Sequence, residues 1–323
     1  MRITDKIFER LRLGKAPEKD EILHLLGLPE DSAEALELRG LADSLMRKRF
    51  GNKVMILGQI GIENKPCPAN CKFCAFAEDV NRTDDFLSDG EILAKAGEMC
   101  SSGGIYSLFL MAMHNFDRER LLRAASLVRK GIPDSVNLVV NIGDCDEAYL
   151  RELKRIGVGG AYHVCRLREG VDTQLNPDDR IAMIESIKAV GLDWYTCCEP
   201  IGSEHTDDEI AEQMMIANRY GCFQNAAMAR VNFAGSPLEG FAEISRARLA
   251  QIVAIAALSS LENAGLRSVA VHEPDTLSLL SGANSLYAES GKNPRDTAPD
   301  TACGRGRSVE DVVEMFRRAN FDV

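Results

Sequence analysis

The chain has 323 residues, of which 45% are hydrophobic and 27% charged, so it can form a sizeable core and disorder is not expected. Its formal net charge of −11 argues against binding to nucleic acid or to an anionic membrane surface, because both are themselves negative. The start of the chain carries no apolar stretch of signal-peptide length, and no segment approaches about 18 uninterrupted apolar residues. We therefore expect no membrane segment and a cytoplasmic location.

The first 49 residues are predicted to form two or three helices that cap a larger domain, because 20–26 and 32–38 show helical apolar spacing after N-cap residues. Strand-like and helical segments then alternate. The predicted strands are 54–60, 106–113, 136–142, 160–165, 194–198, 226–231, 268–271 and 283–287. The predicted helices are 89–100, 118–130, 147–156, 177–190, 207–220 and 244–264, followed by a last helix over 308–320.

This alternation predicts the fold class and the domain organisation. Eight strands joined mostly by helices are typical of an α/β protein of the (β/α)8 TIM-barrel type, whereas a dinucleotide-binding sheet would show G-x-G-x-x-G after a strand. We expect an N-terminal helical cap over 1–49, a barrel over 50–323 and a C-terminal helix that closes the domain. The irregular segment 291–307 is of the kind that often lines a site.

Three cysteines with the spacing C-x3-C-x2-C follow the first predicted strand: Cys67, Cys71 and Cys74. Thiolates are the ligands of iron–sulfur clusters, and three of them leave one iron of a [4Fe–4S] cluster open to a small molecule. Zinc would need a fourth Cys or His nearby, and neither Cys100 nor His114 has a finger-like spacing. A structural zinc site or a redox loop is the alternative.

Together with Phe73 just before its last cysteine, the motif resembles that of the radical S-adenosylmethionine (SAM) superfamily. The resemblance implies a [4Fe–4S] cluster whose open iron is chelated by the amino and carboxylate groups of SAM. It also implies an electron donor such as ferredoxin or flavodoxin, and reductive cleavage of SAM to a 5′-deoxyadenosyl radical that abstracts hydrogen from an aliphatic C–H bond. The catalytic residues would be the three cysteines that hold the cluster.

Over roughly residues 45–323 the chain resembles the group that contains biotin synthase, bipartite lipoyl synthase, the radical SAM maturase of [FeFe]-hydrogenase and methylornithine synthase. The local marks are segments 49–52, 172–175, 235–240 and 281–285. In that group a carboxylate at the end of strand four binds SAM, which implies this role for Glu169, with Arg168 beside it. The other implied SAM contacts are Phe73 at adenine, the backbone of Met111 and Met113 at the methionyl ammonium, and the strand-five turn that contains Gly202 and Glu204.

Two fates of the substrate radical stay open, and sulfur insertion is the preferred one because thiols are concentrated at the predicted strand ends. Sulfur insertion of the biotin or lipoyl type would use a second iron–sulfur cluster, for which Cys165, Cys197, Cys198 and Cys303 are candidate ligands, with Cys145 in reserve. Adjacent Cys197 and Cys198 would point to opposite faces of a strand, so one of them is expected to face the lumen. The alternative is rearrangement or fragmentation of an amino-acid-like substrate, because the biotin synthase ligand positions are not matched. The substrate would be a small molecule, free or carried by a protein.

Overall fold

A closed barrel of eight parallel strands forms the centre of the molecule. The computed structural model describes residues 2–273, 275–294 and 307–323. The barrel strands are β1 (Met55–Gly61), β4 (Ile105–Met111), β5 (Asn137–Asn141), β6 (Val158–Tyr162), β7 (Asp193–Tyr195) with β8 (Cys198–Ile201), β9 (Gln224–Ala229), β10 (Ser268–Val271) and β11 (Ser285–Gly291). Strand β1 pairs with β4 on one side and with β11 on the other, and β9 pairs with β10, so the sheet closes. The predicted (β/α)8 TIM-type fold is confirmed.

Helices on the outside of the barrel follow most of the strands, because each has a buried apolar face and a polar N-cap. Ser88, Asp117, Asp146 and Thr206, for example, accept a hydrogen bond from the first turn of the helix that each precedes. The helices are α1 (Ile3–Arg12), α2 (Lys19–Leu26), α3 (Ala33–Phe50), α4 (Asp89–Ser101), α5 (Arg118–Gly131), α6 (Glu147–Arg155), α7 (Pro177–Val190), α8 (Asp207–Tyr220), α9 (Arg246–Ser259), α10 (Thr276–Leu279) and α11 (Val309–Arg318).

Helices α2 and α3 pack against α8 and α9 on the outside of the barrel, and α1 packs on α2 and α3. Arg49 at the end of α3 donates hydrogen bonds to the carbonyl oxygens of Ser260 and Leu261, which follow α9. The division into a cap (1–49) and a barrel (50–323) stays a prediction. No described helix combines the length and the apolar character that crossing a membrane requires.

The fifth strand position differs from its prediction. Instead of one strand over 194–198, the chain forms β7 and β8 with Thr196 and Cys197 between them. The cause is a tertiary contact: the side chain of Gln213 on α8 donates to the carbonyl oxygen of Cys197 at 3.1 Å and accepts from the backbone N–H of Glu199 at 3.1 Å. The Cys197 carbonyl and the Glu199 N–H are therefore paired with the side chain of a helix residue rather than with the backbone of a neighbouring strand.

Two further differences lie beside the cysteine loop. A short antiparallel pair, β2 (Glu63–Asn64) with β3 (Asp85–Phe86), frames the loop and was not predicted. The last barrel strand runs on to Gly291, four residues beyond its predicted end. A Cβ atom at Gly61 would lie 1.7 Å from the carbonyl oxygen of Lys292, so the absence of a side chain lets these two strand ends approach.

Candidate active site at the carboxyl ends of the barrel strands

The loop between β2 and β3 brings the three predicted cluster ligands together. Cys67 is buried, and Cys71 and Cys74 are half-buried. All three pack in one small cluster with Ala69, Phe76, Met111 and Met113. Within the loop, the backbone N–H of Cys74 donates to the carbonyl oxygen of Cys71 at 3.0 Å, so the turn itself fixes the separation of these two side chains.

Other loops at the same end of the barrel hold the cysteine loop in place. The backbone N–H of Lys72 donates to the carbonyl oxygen of Asp172 at 2.9 Å, and Lys72 also forms an ion pair with this carboxylate at 2.9 Å. The N–H of Ala75 donates to the carbonyl oxygen of Pro294 at 2.8 Å, and the hydroxyl of Ser236 donates to the carbonyl oxygen of Lys72 at 2.8 Å. The cysteine loop is thus anchored by segments that follow β6, β9 and β11.

The spacing of the three sulfur atoms tests which metal group the loop fits. Among the residues that the structure describes, one set of three His, Cys, Asp or Glu side chains has all its ligand atoms within 4.8 Å of one another, and it lies elsewhere. Three sulfurs around a single zinc ion would lie about 3.8 Å apart, given Zn–S bonds of about 2.3 Å. At least two of the Cys67, Cys71 and Cys74 sulfurs therefore lie more than 4.8 Å apart, which suits a cluster in which each thiolate binds a different iron.

Without a metal, burial disfavours the thiolate form in this loop. It raises the pKa of Cys74 to about 12, and it raises the pKa of Cys71 although the nearby Arg166 guanidinium opposes the shift. Because a metal ligand must be deprotonated, loading of this loop would release protons to solvent.

A cavity with about 950 Å³ of space, partly open to solvent, connects the cysteine loop with the barrel lumen. The predicted cluster ligands and three of the predicted SAM contacts line the same cavity. The SAM contacts in question are Phe73, Met111 and Met113. The lining residues that come from the barrel are Gln59, Ala112, His114, Asn141, Ile142, Gly143, Tyr162, Arg166, Arg180, Glu199, Met228 and His272.

An ion pair between Arg166 and Glu199 is the main charged feature of the cavity, and the sequence interpretation did not single it out. The Arg166 Nε atom lies 3.2 Å from Glu199 Oε1, and the Tyr162 hydroxyl donates to Glu199 Oε2. Burial lowers the pKa of Arg166, but the charges of Glu199 and Glu169 outweigh this and raise it above its ordinary value. The available signal was the position of both residues at the ends of neighbouring strands.

Glu169 lies beneath this pair rather than in the cavity lining. Its Oε2 accepts from the backbone N–H of Arg166 at 2.9 Å, and its Oε1 accepts from the hydroxyl of Thr173 at 2.6 Å. Arg180 Nε lies 3.5 Å from the same carboxylate and donates through Nη1 to Asp144 at 2.6 Å. The structure therefore connects Glu169 to the site through Arg166, and its direct contact with SAM stays a prediction.

The backbone of Met113, which is predicted to receive the SAM ammonium group, is held by a buried carboxylate. Glu63 Oε1 accepts from the Met113 N–H at 2.8 Å, and the Glu63 side chain is 2% exposed. Glu63 was also missed in the sequence. Its signal is an acidic residue two positions after a mostly apolar strand, which is a costly place for an unpaired charge.

The remaining predicted SAM contacts lie outside the cavity lining. Glu204 forms a bidentate ion pair with Arg230, with distances of 2.7 Å to Nε and 3.0 Å to Nη2. A Cβ atom at Gly202 would come within 2.2 Å of the Glu204 carboxylate, so a side chain at this position would displace the ion pair. Arg168 has a φ of 54° and pairs with Asp172 at 3.2 Å. Their roles in binding SAM stay predictions.

The auxiliary-cluster candidates are dispersed in the described part of the chain. Cys197 packs inside the barrel among Tyr162, Tyr195 and Tyr287, whereas Cys198 packs in the layer between the barrel and its helices, as expected of neighbours in a strand. Cys145 contacts that outer layer, and Cys165 is half-buried with its sulfur 4.0 Å from the carbonyl oxygen of Pro177. Cys303 lies outside the described residues.

Burial of histidine near the cavity predicts a loss of stability in acid. Burial, with Arg180 as the second cause, lowers the pKa of His163 well below 6.5, and burial also lowers the pKa of His114. The unfolded chain then binds protons that the folded chain does not, so the free energy of unfolding falls as the pH drops below about 6.5. We expect His163→Gln to reduce this slope, measured by urea denaturation between pH 7 and pH 5. If the free energy of unfolding of His163→Gln falls with pH as steeply as that of the wild type, other groups cause the loss of stability in acid.

Known proteins with similar sequences are biotin synthases along most of the chain. The biotin synthase of Nocardioides sp. is 24% identical over 333 residues, covering 99% of this chain and 85% of that protein. The biotin synthase of Carboxydothermus hydrogenoformans is 23% identical over 305 residues, covering 89% of each. A scan against protein-family models finds no match.

Solved structures with the same fold cover nearly the whole chain. Methylornithine synthase superposes with a TM-score of 0.82 at 18% identity, covering 98% of this chain and 96% of its own. The FeFe-hydrogenase maturase from Carboxydothermus hydrogenoformans superposes with a TM-score of 0.80 at 16% identity, covering 98% of this chain and 78% of its own. Along nearly its whole length the chain is therefore similar in sequence to biotin synthases, which are radical SAM enzymes, and similar in fold to methylornithine synthase and the hydrogenase maturase.

Proposed function

We propose that this enzyme cleaves SAM reductively and uses the resulting radical to abstract hydrogen from an aliphatic C–H bond of a polar small molecule held in the barrel lumen. The observation that carries the proposal is one cavity that contains both the three loop thiols and the Arg166–Glu199 pair. When bound, the cluster and SAM supply one electron and a carbon-centred radical, which are beyond the reach of amino-acid side chains.

The chain's own residues would bind and orient the reactants. Cys67, Cys71 and Cys74 would hold three irons of the [4Fe–4S] cluster and leave the fourth open for SAM. The backbone at Met113, whose N–H is fixed by Glu63, would accept a hydrogen bond from the methionyl ammonium group of SAM through its carbonyl oxygen. Apolar side chains such as Ile142 line the same space and would exclude water and stray hydrogen donors from the radical.

The lumen favours rearrangement or fragmentation of an amino-acid-like substrate as the fate of the radical. Arg166 and Glu199 offer fixed charges of both signs, which suits a substrate that carries a carboxylate and an amine. Gln59 and Asn141 add amide groups to the same cavity, with the Asn141 amide donating to Gln59 at 3.3 Å. Such a substrate would be a free small molecule, and a low-potential carrier such as ferredoxin or flavodoxin would deliver the electron in the cytoplasm.

Sulfur insertion is the second candidate, and Cys197 is the observation that favours it. This thiol lies in the lumen, where a sacrificial cluster would have to be. Cys198 faces away from the lumen, however, and Cys165 does not line the cavity. A second cluster would therefore need ligands other than these cysteines, and its substrate could be bound to a carrier protein as in lipoyl-type reactions.

Iron and sulfide analysis after anaerobic reconstitution separates the two candidates. Rearrangement or fragmentation predicts about four inorganic sulfides per chain, whereas sulfur insertion predicts about eight, the sum of two four-iron clusters. Under the first candidate, the triple variant with alanine at Cys67, Cys71 and Cys74 should retain no sulfide. Retention of about half of the sulfide by the triple variant would support sulfur insertion. Failure of the reconstituted wild-type protein to produce 5′-deoxyadenosine from SAM would overturn both candidate functions.

Arg166 and Arg168 provide a matched test of where the cofactor contacts lie. Both are arginines on the segment after β6, but Arg166 lines the cavity and Arg168 pairs with Asp172. We expect Arg166→Gln to weaken SAM binding ten- to a hundredfold in equilibrium dialysis, since hydrogen bonds to charged groups contribute roughly 1.5–3 kcal/mol. Arg168→Gln should change the affinity for SAM less than about twofold. A larger loss of affinity in Arg168→Gln than in Arg166→Gln would assign the SAM contact to Arg168.

A further inference from the structure

Three potential metal ligands meet inside the barrel, apart from the cysteine loop. The Cys197 sulfur, a Glu199 carboxylate oxygen and a His272 ring nitrogen all lie within 4.8 Å of one another. Their residues are 2%, 3% and 8% exposed. Cys197 lies directly before β8 and Glu199 within it, and His272 follows β10, which is separated from β8 in the barrel by β9.

The surrounding residues hold the three groups in a fixed arrangement. Gln213 contacts the backbone at both Cys197 and Glu199, which fixes the interrupted strand that carries two of the ligands. The His272 ring stacks on Tyr287 with centroids 4.3 Å apart and an interplanar angle of 16°. The Tyr162 hydroxyl donates to Glu199. Hydrogen bonds to ligating carboxylates and fixed imidazole orientation are what metal sites require of their surroundings.

We propose that Cys197, Glu199 and His272 bind one divalent transition-metal ion of the zinc class. Around such an ion, with bonds of about 2.0–2.3 Å, tetrahedral ligand atoms lie about 3.3–3.8 Å apart, so ligand atoms within 4.8 Å of one another would close on the ion by about 1 Å through side-chain rotation. A thiolate, a carboxylate and a neutral imidazole balance a charge of +2. Thiolate and imidazole select zinc or ferrous iron over magnesium and calcium, which prefer oxygen.

The pairing of Glu199 with Arg166 is compatible with metal binding. Arg166 contacts Oε1 and Tyr162 donates to Oε2, but a carboxylate offers about four lone-pair sites, so two remain for a metal. The thiolate and the carboxylate would offset the charge of the ion, and the nearby negative charge of Glu169 would offset that of the Arg166 guanidinium. A site of this kind explains why a thiol, an acid and an imidazole converge in a lumen otherwise lined there by Leu57, Phe109 and Val139.

The site has an open face toward the cavity. Glu199 and His272 line the cavity, whereas Cys197 lies behind them and does not. Three protein ligands with a fourth position open to a pocket are the arrangement of catalytic rather than structural zinc sites. The fourth ligand would be an amine, carboxylate or thiol group of the substrate, an assignment that rests on the proposed function, whereas binding of the metal itself does not.

Metal binding can be tested without any radical chemistry. The parent for the test is the Cys67→Ala/Cys71→Ala/Cys74→Ala variant, because it cannot form the loop cluster. After removal of metals with a chelator, it is titrated anaerobically with Co²⁺. We expect one Co²⁺ per chain and a near-ultraviolet thiolate-to-cobalt absorption band. Metal analysis of the same protein after zinc loading should give one zinc and no inorganic sulfide.

Adding Cys197→Ser to this parent should abolish the charge-transfer band and weaken Co²⁺ binding at least tenfold. Cys198→Ser is the matched control, since it is the adjacent cysteine on the opposite face and should leave both readouts unchanged. His272→Ala should weaken binding but keep the thiolate band, which provides a second variant if Cys197→Ser does not fold. Circular dichroism and thermal unfolding check the fold of each.

Three results would overturn the proposal: no Co²⁺ bound by the parent, binding that survives Cys197→Ser, or iron accompanied by sulfide that is lost with Cys197. The last would show a second iron–sulfur cluster at this place. Failure of SAM cleavage in the wild-type protein would overturn the proposed function but leave these measurements unaffected, so the two failures are distinguishable.

Discussion

Replacing Cys71 by alanine should abolish formation of 5′-deoxyadenosine from SAM, because an iron corner of the proposed cluster would lose its thiolate. Cys67→Ala and Cys74→Ala should do the same. The fold should be retained, since the loop lies at the mouth of the barrel and its anchoring hydrogen bonds run through backbone atoms and through Lys72 and Ser236. The measurement is chromatographic quantification of 5′-deoxyadenosine after reduction with dithionite.

Cys100→Ala is the matched control, because Cys100 is also a half-buried thiol but lies on α4, among the helices outside the barrel. It should cleave SAM at the wild-type rate. If a Cys71 variant still forms 5′-deoxyadenosine above the background of the triple variant, the loop does not hold the cluster that cleaves SAM.

The largest effect on stability is expected at the Arg230–Glu204 pair. Both side chains are 1% exposed and form two contacts of 2.7 and 3.0 Å. Arg230→Met would leave the Glu204 carboxylate buried without its counter-charge, which typically costs about 3–5 kcal/mol of the free energy of unfolding. Domains of ordinary stability have about 5–15 kcal/mol in total. The fluorescence of Trp194, the single tryptophan, can follow unfolding in urea.

Arg318→Met provides the control, because Arg318 pairs with Glu314 at 3.0 Å on the surface, where both side chains are at least half exposed. Its loss should cost about 0.5 kcal/mol or less. A different role for Glu204 would give a different pattern: if this carboxylate contacts SAM, Glu204→Gln should weaken SAM binding while the free energy of unfolding changes little.

Local sequence patterns were sufficient to predict the barrel fold and to single out the cysteine loop. Apolar strands that alternate with capped amphipathic helices permit few arrangements, and the C-x3-C-x2-C spacing is a property of one short segment. The break after Tyr195 could not be predicted in this way. It depends on Gln213, a helix residue whose amide reaches the strand only once α8 has packed on the barrel.

The charged part of the cavity was equally inaccessible to local patterns. Arg166 and Glu199 belong to different strand positions, and their contact follows from strand register and tilt in the closed barrel. The same holds for His272, which is 73 residues from Glu199 in the sequence and joins it only in the closed barrel. Glu204, by contrast, was predicted to contact SAM because it lies in the turn after the fifth strand. Its bidentate ion pair with Arg230 could not be predicted from the sequence of that turn.

The anchoring of the cysteine loop has a consequence for the order in which the holoenzyme forms. Its backbone hydrogen bonds reach Asp172 after β6 and Pro294 after β11, the latter near the end of the chain. A nascent chain that has released only its first hundred residues contains all three cysteines but none of these anchors. We therefore expect the loop to take its final shape only after the last strand has closed the barrel, so that a cluster would be delivered to a folded apo-barrel rather than to a flexible peptide.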